Sequence, residues 1–289
     1  MILIAKIQMM RLKTLSLLLA LAAFTGLAAK DPVKPASLTT MSFNIRYGTA
    51  DDGTNSWFYR AGAVIAMIED QKPDIIGMQE VLYEQMALLK DYVSYKCIGV
   101  GREDGKKGGE HMCIFYNPKT VKVVKWGTYW LSETPDKPTL GWDAACKRTA
   151  TWALIKHKES GKLFYFVNTH LDHVGVEARK NGLSLILDRI GTMNKEGHPL
   201  ILSGDFNVTP DDATLDPLRG VLRSARDWAF KTDDGITYNA WGHKEHESVI
   251  DHIFVTGFSS CPVFEVVRKP YEDHKYISDH HPVKATLIF

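Results

Sequence analysis

Cysteine is scarce and scattered: Cys97, Cys113, Cys146 and Cys261 stand far apart with no CxxC pair, which argues against a structural zinc site. No GxSxG turn and no phosphate-cradling GxxxxGK[ST] loop occurs, so neither a serine elbow nor P-loop chemistry has a footing. Low-complexity stretches are also missing. With 45% hydrophobic and 24% charged residues, the chain can fill a large packed core. Charge of one sign is not in excess, the formal balance being +1 over 289 residues. Proteins that grip long duplexes neutralise many phosphates with Lys and Arg, so bulk charge gives extended nucleic-acid binding no support and leaves only a local basic groove open.

A membrane-spanning run is lacking too. Lys6, Arg11 and Lys13 precede an apolar stretch from Leu15 to Leu27 that closes on the small residues Gly26, Ala28 and Ala29. This is the order of a secretory signal, and about 13 apolar residues fall short of the roughly 20 that a spanning helix needs. Residues 1–29 are therefore expected to be a signal peptide, removed on export to the periplasm or the external medium, leaving one domain over 30–289. Removal takes away those three bases and no acid, which turns +1 into −2. Export permits disulfides, but Cys113 lies in an apolar run where buried free thiols are common, so free cysteines are expected.

What the chain does have is a series of strand-like runs with polar tips. Leu38 to Arg46 alternates and delivers Asn44 at its end; Trp57 to Asp70 has helical spacing and is stopped by Lys72-Pro73; Asp74 to Gln79 is a short buried strand ending at Glu80. A helix follows over Leu82 to Asp91, then an extended run from Val93 to Val100 and a Gly-rich hairpin or loop over Gly101 to Gly109. Strands are expected over His111 to Tyr116 and Thr120 to Leu131, and the Pro- and Trp-bearing stretch from Ser132 to Lys147 reads as a loop on the rim of a site. Thr149 to His157 and Leu163 to Thr169 form a hairpin that ends at His170. A helix over Val176 to Lys195 leads to a buried strand, Pro199 to Leu202, ending in Ser203-Gly204-Asp205. Strands at Val249 to Val255, Pro262 to Val267 and Val283 to Phe289 complete a second half alternating like the first, which suits two packed sheets flanked by helices.

Ligands of open α/β sheets gather beyond the carboxyl ends of strands, so tips carrying carboxylates, amides and imidazoles point to an assembled active site. Hard oxygen ligands such as Glu80 and Asp279 suit a hydrated divalent ion, and Mg²⁺ typically takes one or two protein carboxylates, with water and substrate phosphate filling the remainder. Singly, each tip has a plainer reading: Glu80 caps the next helix, Asn44 is a turn residue, and Asp205-Phe206-Asn207 is an Asx turn.

Phe43-Asn44-Ile45, Gln79-Glu80, Thr169-His170-Leu171, Gly204-Asp205-Phe206-Asn207, Ile250-Asp251-His252 and Ser278-Asp279-His280 occur in the order in which the endonuclease/exonuclease/phosphatase superfamily carries its motifs, and the chain resembles that superfamily over nearly all of its mature length. The resemblance implies a DNase I-like four-layer α/β sandwich of two packed, mostly antiparallel or mixed β-sheets flanked by helices. It implies a metal held by Glu80 with Asn44 beside it and Asp279 contributing, with Mg²⁺ expected and Mn²⁺ as the substitute. Asp205 would orient or deprotonate the attacking water, Asn207 position water and phosphate, and His280, held by Asp251, hydrogen-bond the phosphoryl oxygen. His170 would be a second acid or phosphate donor, with Glu110 as the acid paired to it or else a solvent-facing hairpin residue. The repair branch of the superfamily has a catalytic tyrosine between these blocks that finds no match here.

Four more expectations concern the surroundings. Arg148 either clamps phosphate or pairs with Asp143, while Asp172 and His173 line the pocket or lie on a surface loop. His281, Trp57 and Arg60 are read as structural, and Lys106, Lys107, His243 and His246 as solvated or loop residues. The activity expected is metal-dependent phosphoester hydrolysis, first of a diester such as nucleic acid or a phospholipid headgroup. A phosphomonoesterase acting on inositol phosphate-like substrates comes second, and a silent binding module third. No stable protein partner is implied, and a monomer is expected.

Overall fold

The computed structural model describes residues 35–289; the expected signal peptide lies outside the described residues. Strand β1 (Ser37–Asn44) leads through helix α1 (Trp57–Gln71) to β2 (Ile75–Gln79), and these two strands run parallel with Asn44 paired to Gln79. Apolar residues spaced for one face, Ala63, Val64, Met67 and Ile68, bury α1 against the sheet. The helix ends where Lys72 turns left-handed ahead of Pro73. Helix α2 (Tyr83–Tyr92), strands β3 (Lys96–Ile98) and β4 (Ile114–Tyr116) and, from the far end of the chain, β11 (Ser260–Val266) and β12 (Val283–Ile288) complete this half. Its sheet is six-stranded, in the order β11-β12-β1-β2-β4-β3.

The second half repeats the device. Strands β5 (Val121–Trp130), β6 (Thr149–His157) and β7 (Leu163–His170) precede helix α3 (Val176–Met193) and strand β8 (Leu200–Asp205), which runs parallel to β7. Two short helices, α4 (Asp216–Arg219) and α5 (Ala225–Trp228), flank β9 (Arg223–Ser224), and β10 (Asp251–Thr256) closes a six-stranded sheet ordered β5-β6-β7-β8-β10-β9. Leu38, Ile75, Phe166, Ile201 and Ile253 pack between the sheets, α1 covers the outer face of the first, and Leu183 and Ile186 of α3 cover that of the second. The result is the DNase I-like α/β sandwich of two mixed sheets flanked by helices. Each fully buried aliphatic or aromatic side chain in these layers contributes roughly 1.5–3 kcal/mol relative to exposure.

Two expected strands are shorter than read. Of Val93 to Val100 only Lys96–Ile98 pairs, and of His111 to Tyr116 only Ile114–Tyr116, because His111 instead bridges to Val81 and Gly101 and joins the hairpin to the start of α2. All four cysteines are free. Among the described residues no helix is long and apolar enough to cross a membrane.

Candidate active site

Strand register brings the polar tips together. In the second sheet Asp205 is opposite His170 on one side and Asp251 on the other, so a carboxylate sits between an imidazole and a second carboxylate. In the first sheet Asn44 pairs with Gln79, and Glu80 follows at once in a left-handed conformation (φ 60°) that turns the chain away from the strand. The two sheets are tied at this end by a buried amide pair: Gln79 Nε2 donates to Asn168 Oδ1 at 2.7 Å, and Asn168 Nδ2 donates to the carbonyls of Met78 and Cys113 at 2.8 and 2.9 Å. Gly77 is required there, since a Cβ would lie 2.6 Å from Asn168 Oδ1.

The tips open into one cleft of about 630 Å³, whose walls include Glu80, Asp205, Asn207, Asp279, His170 and His280. Glu80 and His280 therefore face the same space. Asn44 Nδ2 donates to Glu80 Oε1 and to Asp205 Oδ2, each at 3.0 Å, and so crosses between the sheets. Asp205 Oδ2 also has His170 Nε2 at 3.4 Å and His280 Nε2 at 3.7 Å, while its Oδ1 accepts the Asn207 backbone N–H at 2.9 Å. His280 Nδ1 donates to Asp251 Oδ2 at 2.8 Å, which leaves Nε2–H directed at the cleft. Ser278 donates to the Asn44 carbonyl at 2.7 Å and its hydroxyl lies 3.2 Å from Asp279 Oδ1, which places Asp279 beside β1.

Charge follows from these contacts. Burial alone would depress His280, but the carboxylates of Asp251, Asp205 and Asp279 more than reverse it and push it up to about 10. Burial, followed by Arg148 and His280, holds His170 well below the usual imidazole range, so it is neutral. Burial, with Asp251 adding to it, raises Asp205 to about 7 against the pull of His280 and Asn44. Asp279 is raised chiefly by burial and by Glu80, against His280 and Arg46. Asp205 and Asp279 are nearly buried and share the cleft with Glu80, and a guanidinium, that of Arg46, stands 3.7 Å from Asp279. Clustered carboxylate oxygens of this kind fit a hard divalent ion, with Arg46, Arg102, Arg148 and His280 supplying positive charge around them.

Several expectations change with the geometry. Asn44 presents Nδ2 to the acids and its Oδ1 to the Arg46 backbone N–H at 3.0 Å, so it holds the carboxylates in place and does not offer an oxygen to a metal. Glu110 bonds Arg102 Nη1 at 2.7 Å and not a histidine; it is neither the partner of His170 nor solvent-facing, and burial together with Glu80 lifts it to about 7. Asp172 does not face the cleft: its side chain is 0% exposed and accepts the backbone N–H groups of Ala145, Val174 and Gly175. It also accepts from the Cys146 thiol at 3.7 Å and from Arg148 Nε at 3.2 Å, the latter replacing the Asp143 pairing; Asp143 instead accepts from the first turn of α3. Arg148 and His173 do line the cleft, 3.0 Å apart.

Two clusters resemble metal sites by proximity but are unsuited to one. The ligand atoms of Asp205, Asp251 and His280 lie within 4.8 Å of one another, yet His280 has Nδ1 bound to Asp251 and remains protonated. Cys146, Asp172 and His173 cluster likewise, but the Arg148 cation bonds both the Asp and the His.

Arg46, Arg102, Tyr47 and Tyr238 also line the cleft and went unread in the sequence. Arg46 lies two residues beyond Asn44 and Tyr238 packs its ring 4.9 Å from that of His280, so proximity to a motif was the available signal for the first and none existed for the second. Arg60, fully buried, donates to the carbonyls of Asn55, Ile45, Ile277 and Arg46 and thereby joins the turn after β1 to the segment before Ser278. His281 is buried, and His243 and His246 are exposed.

A DNase I-like sandwich with carboxylates, amides and a carboxylate-held imidazole at its strand tips defines a phosphoesterase scaffold. The chain matches the Endonuclease/Exonuclease/phosphatase family over residues 41–280 and belongs to it. Members of this family are hydrolases that act on phosphoesters. Among solved structures the chain is similar to an endonuclease/exonuclease/phosphatase from Bacteroides vulgatus, with 39% identity, a TM-score of 0.82, and coverage of 87% of this chain and 98% of that one. It is also similar to a mannosyl-6-phosphatase from Bacteroides thetaiotaomicron, with 34% identity, a TM-score of 0.81, and coverage of 87% and 100%. An uncharacterized protein of Acanthamoeba polyphaga mimivirus is 28% identical over 254 residues, which is 81% of this chain and 92% of that protein.

Proposed function

We propose that the protein is an exported, monomeric, Mg²⁺-dependent phosphoester hydrolase acting on a small phosphorylated substrate. The observation that carries this reading is the convergence of Glu80, Asp279 and Asp205 with the Asp251-held His280 in one cleft. Glu80 and Asp279 would hold the ion, which when bound neutralises charge on the phosphoryl group and the leaving oxygen. Asp205 faces the cleft beside Asn207, orients a water for attack and accepts its proton. The water oxygen forms a bond to phosphorus, the ester P–O bond breaks, and the departing alcohol oxygen takes a proton from solvent. His280 donates Nε2–H to a phosphoryl oxygen as charge builds there, and neutral His170 donates a second hydrogen bond.

The similarity to a mannosyl-6-phosphatase favours a monoester. A diester is the second reading, favoured by the two imidazoles that flank Asp205 at 3.4 and 3.7 Å. Turnover of aryl and sugar phosphate esters by the purified protein is expected with Mg²⁺ or Mn²⁺, is expected to vanish in EDTA and return on adding metal, and should be lost in Asp205→Ala. Failure of every ester in the folded, metal-supplied protein would overturn the proposal.

A further inference from the structure

We propose that Arg102 and Arg148 form a clamp for the doubly charged phosphate of a monoester, and that the clamp turns diesters away. The inference rests on the phosphohydrolase reading above and names its substrate class. Both guanidinium groups line the cleft that contains Glu80, Asp205 and His280. Their side chains are only 14% and 5% exposed. Acids brace both: Glu110 takes Arg102 Nη1 at 2.7 Å with Glu103 3.7 Å from its Nε, and Asp172 takes Arg148 Nε at 3.2 Å with His173 against Nη2 at 3.0 Å.

That bracing leaves donors unspent. Among the described residues Arg148 Nη1 and Arg102 Nη2 donate no hydrogen bond, while the buried Arg102 Nε also donates none and is ion-paired with Glu103 Oε1 at 3.7 Å. A guanidinium cannot lose its charge, so free Nη edges on a mostly buried side chain favour an anionic ligand over water. The supporting acids are oriented by other elements: Asp172 by the turn that opens α3, and Glu110 by the hairpin after β3, whose Arg102 carbonyl accepts Trp130 Nε1 at 2.7 Å. The two arginines thus reach the cleft from separate segments, which Lys147 Nζ ties together by bonding Glu103 Oε2 at 2.8 Å.

A phosphomonoester carries roughly −1.5 to −2 charges at neutral pH and three terminal oxygens, enough to meet His280, the metal side and two guanidinium edges together. A diester presents two such oxygens and one negative charge. Where its third oxygen would be, a carbon substituent would lie against the arginines, displacing water from the Nη donors without replacing its hydrogen bonds. Arg102 is the more informative of the two because no motif contains it and its removal leaves Asp172 in its backbone cage.

The test uses p-nitrophenyl phosphate and methyl p-nitrophenyl phosphate, which share a leaving group and differ in the one methyl ester. With Mg²⁺ the full protein is expected to prefer the monoester. Arg102→Gln should lower kcat/KM for the monoester by about 10- to 100-fold, the range of a charge-assisted hydrogen bond, with a far smaller loss on the methyl ester. Arg102→Lys should fall between, and Lys106→Ala, an exposed position on the same hairpin, should match the parent and so separate loop damage from clamp loss. Equal losses on both esters, or a parent enzyme that turns over both equally well, would overturn the clamp. If neither ester is hydrolysed with any divalent ion, the phosphohydrolase reading fails, and calorimetry still decides the clamp. Inorganic phosphate should then bind, dimethyl phosphate should not, and Arg102→Gln should weaken phosphate binding about 10-fold; equal binding by parent and variant would refute it.

Discussion

Replacing Asn168 with alanine isolates the contact that fixes the two sheets against each other beside the cleft. The side chain is fully buried; it gives two hydrogen bonds, to Met78 O at 2.8 Å and Cys113 O at 2.9 Å, and receives one from Gln79 Nε2 at 2.7 Å. Some partners retain other bonds: Cys113 O still takes the Met78 N–H at 2.9 Å, and Gln79 Nε2 keeps Ser42 Oγ at 3.2 Å and Gly77 O at 3.1 Å. The loss is therefore smaller than three full desolvation penalties. About 1 kcal/mol for each bond lost, with one buried group left unsatisfied and a small void where the amide stood, gives about 3–5 kcal/mol. Against a domain stability of about 5–15 kcal/mol this is a large fraction, and it corresponds to a melting temperature lower by roughly 6–20 °C. Urea unfolding followed by tryptophan fluorescence should show the drop in midpoint at an unchanged slope. Activity should fall as well, because Gln79 directly precedes Glu80 and Asn168 lies two residues before His170. A stability loss below about 1 kcal/mol would refute the view that this amide pair ties the sheets together.

Two further outcomes follow from individual side chains. Asp251→Asn should leave the fold intact yet lower kcat by about 10²–10⁴ with little change in KM, since it removes the carboxylate charge that holds His280 protonated with Nδ1–H fixed; a loss under about fivefold would contradict that role. Asp172 is also pH-sensitive: burial alone would raise its carboxyl, but the N–H groups of Gly175, Ala145 and Val174, together with Arg148, hold it well below the usual range. Its contribution is thus fully present above the ordinary carboxylate value near 4 and is lost as pH falls through the depressed folded value. Urea midpoints measured from about pH 6 down to 2 should show the gap between the parent and Asp172→Asn closing below about pH 4, and a gap that stays constant would remove Asp172 as its source.

The strand tips were legible because an apolar run and the polar residue that ends it are adjacent in the chain. Asn44, Glu80, His170 and Asp205 each sit at or directly after the end of a strand, with the next tip in each half delivered by a helix of readable periodicity. Partner identity was not legible. Glu110 meets Arg102 across a hairpin whose shape depends on Asp104 accepting the Lys106 and Gly108 N–H groups at 2.8 Å, a three-dimensional fact with no spacing rule behind it. Asp172 follows His170 so closely that it read as lining the pocket or lying on a surface loop, but the sharp turn into α3 directs its carboxylate into its own backbone. Helices as short as α4 and α5 span about one turn, too little for any apolar period to register.

The plainest reading of two tips, that they are turn residues, and the functional reading turn out to describe the same geometry. Asn44 Oδ1 accepts the Arg46 N–H two residues on at 3.0 Å, and Asp205 Oδ1 accepts the Asn207 N–H two residues on at 2.9 Å. The residue at the end of each turn, Arg46 (φ 58°) and Asn207 (φ 53°), is left-handed, as is Glu80 (φ 60°), whose Oε2 accepts the Tyr47 N–H at 3.1 Å. Such conformations in non-glycine residues cost roughly 1–3 kcal/mol each and persist where surrounding contacts over-determine them. Here the turn bond and the chemistry use different atoms. One oxygen of Asp205 closes the turn, while the other faces Asn44, His170 and His280 across the cleft. Because the backbone holds the first oxygen, the second cannot swing away when its neighbours change charge, so the strained tips supply the rigidity that a water-orienting carboxylate requires.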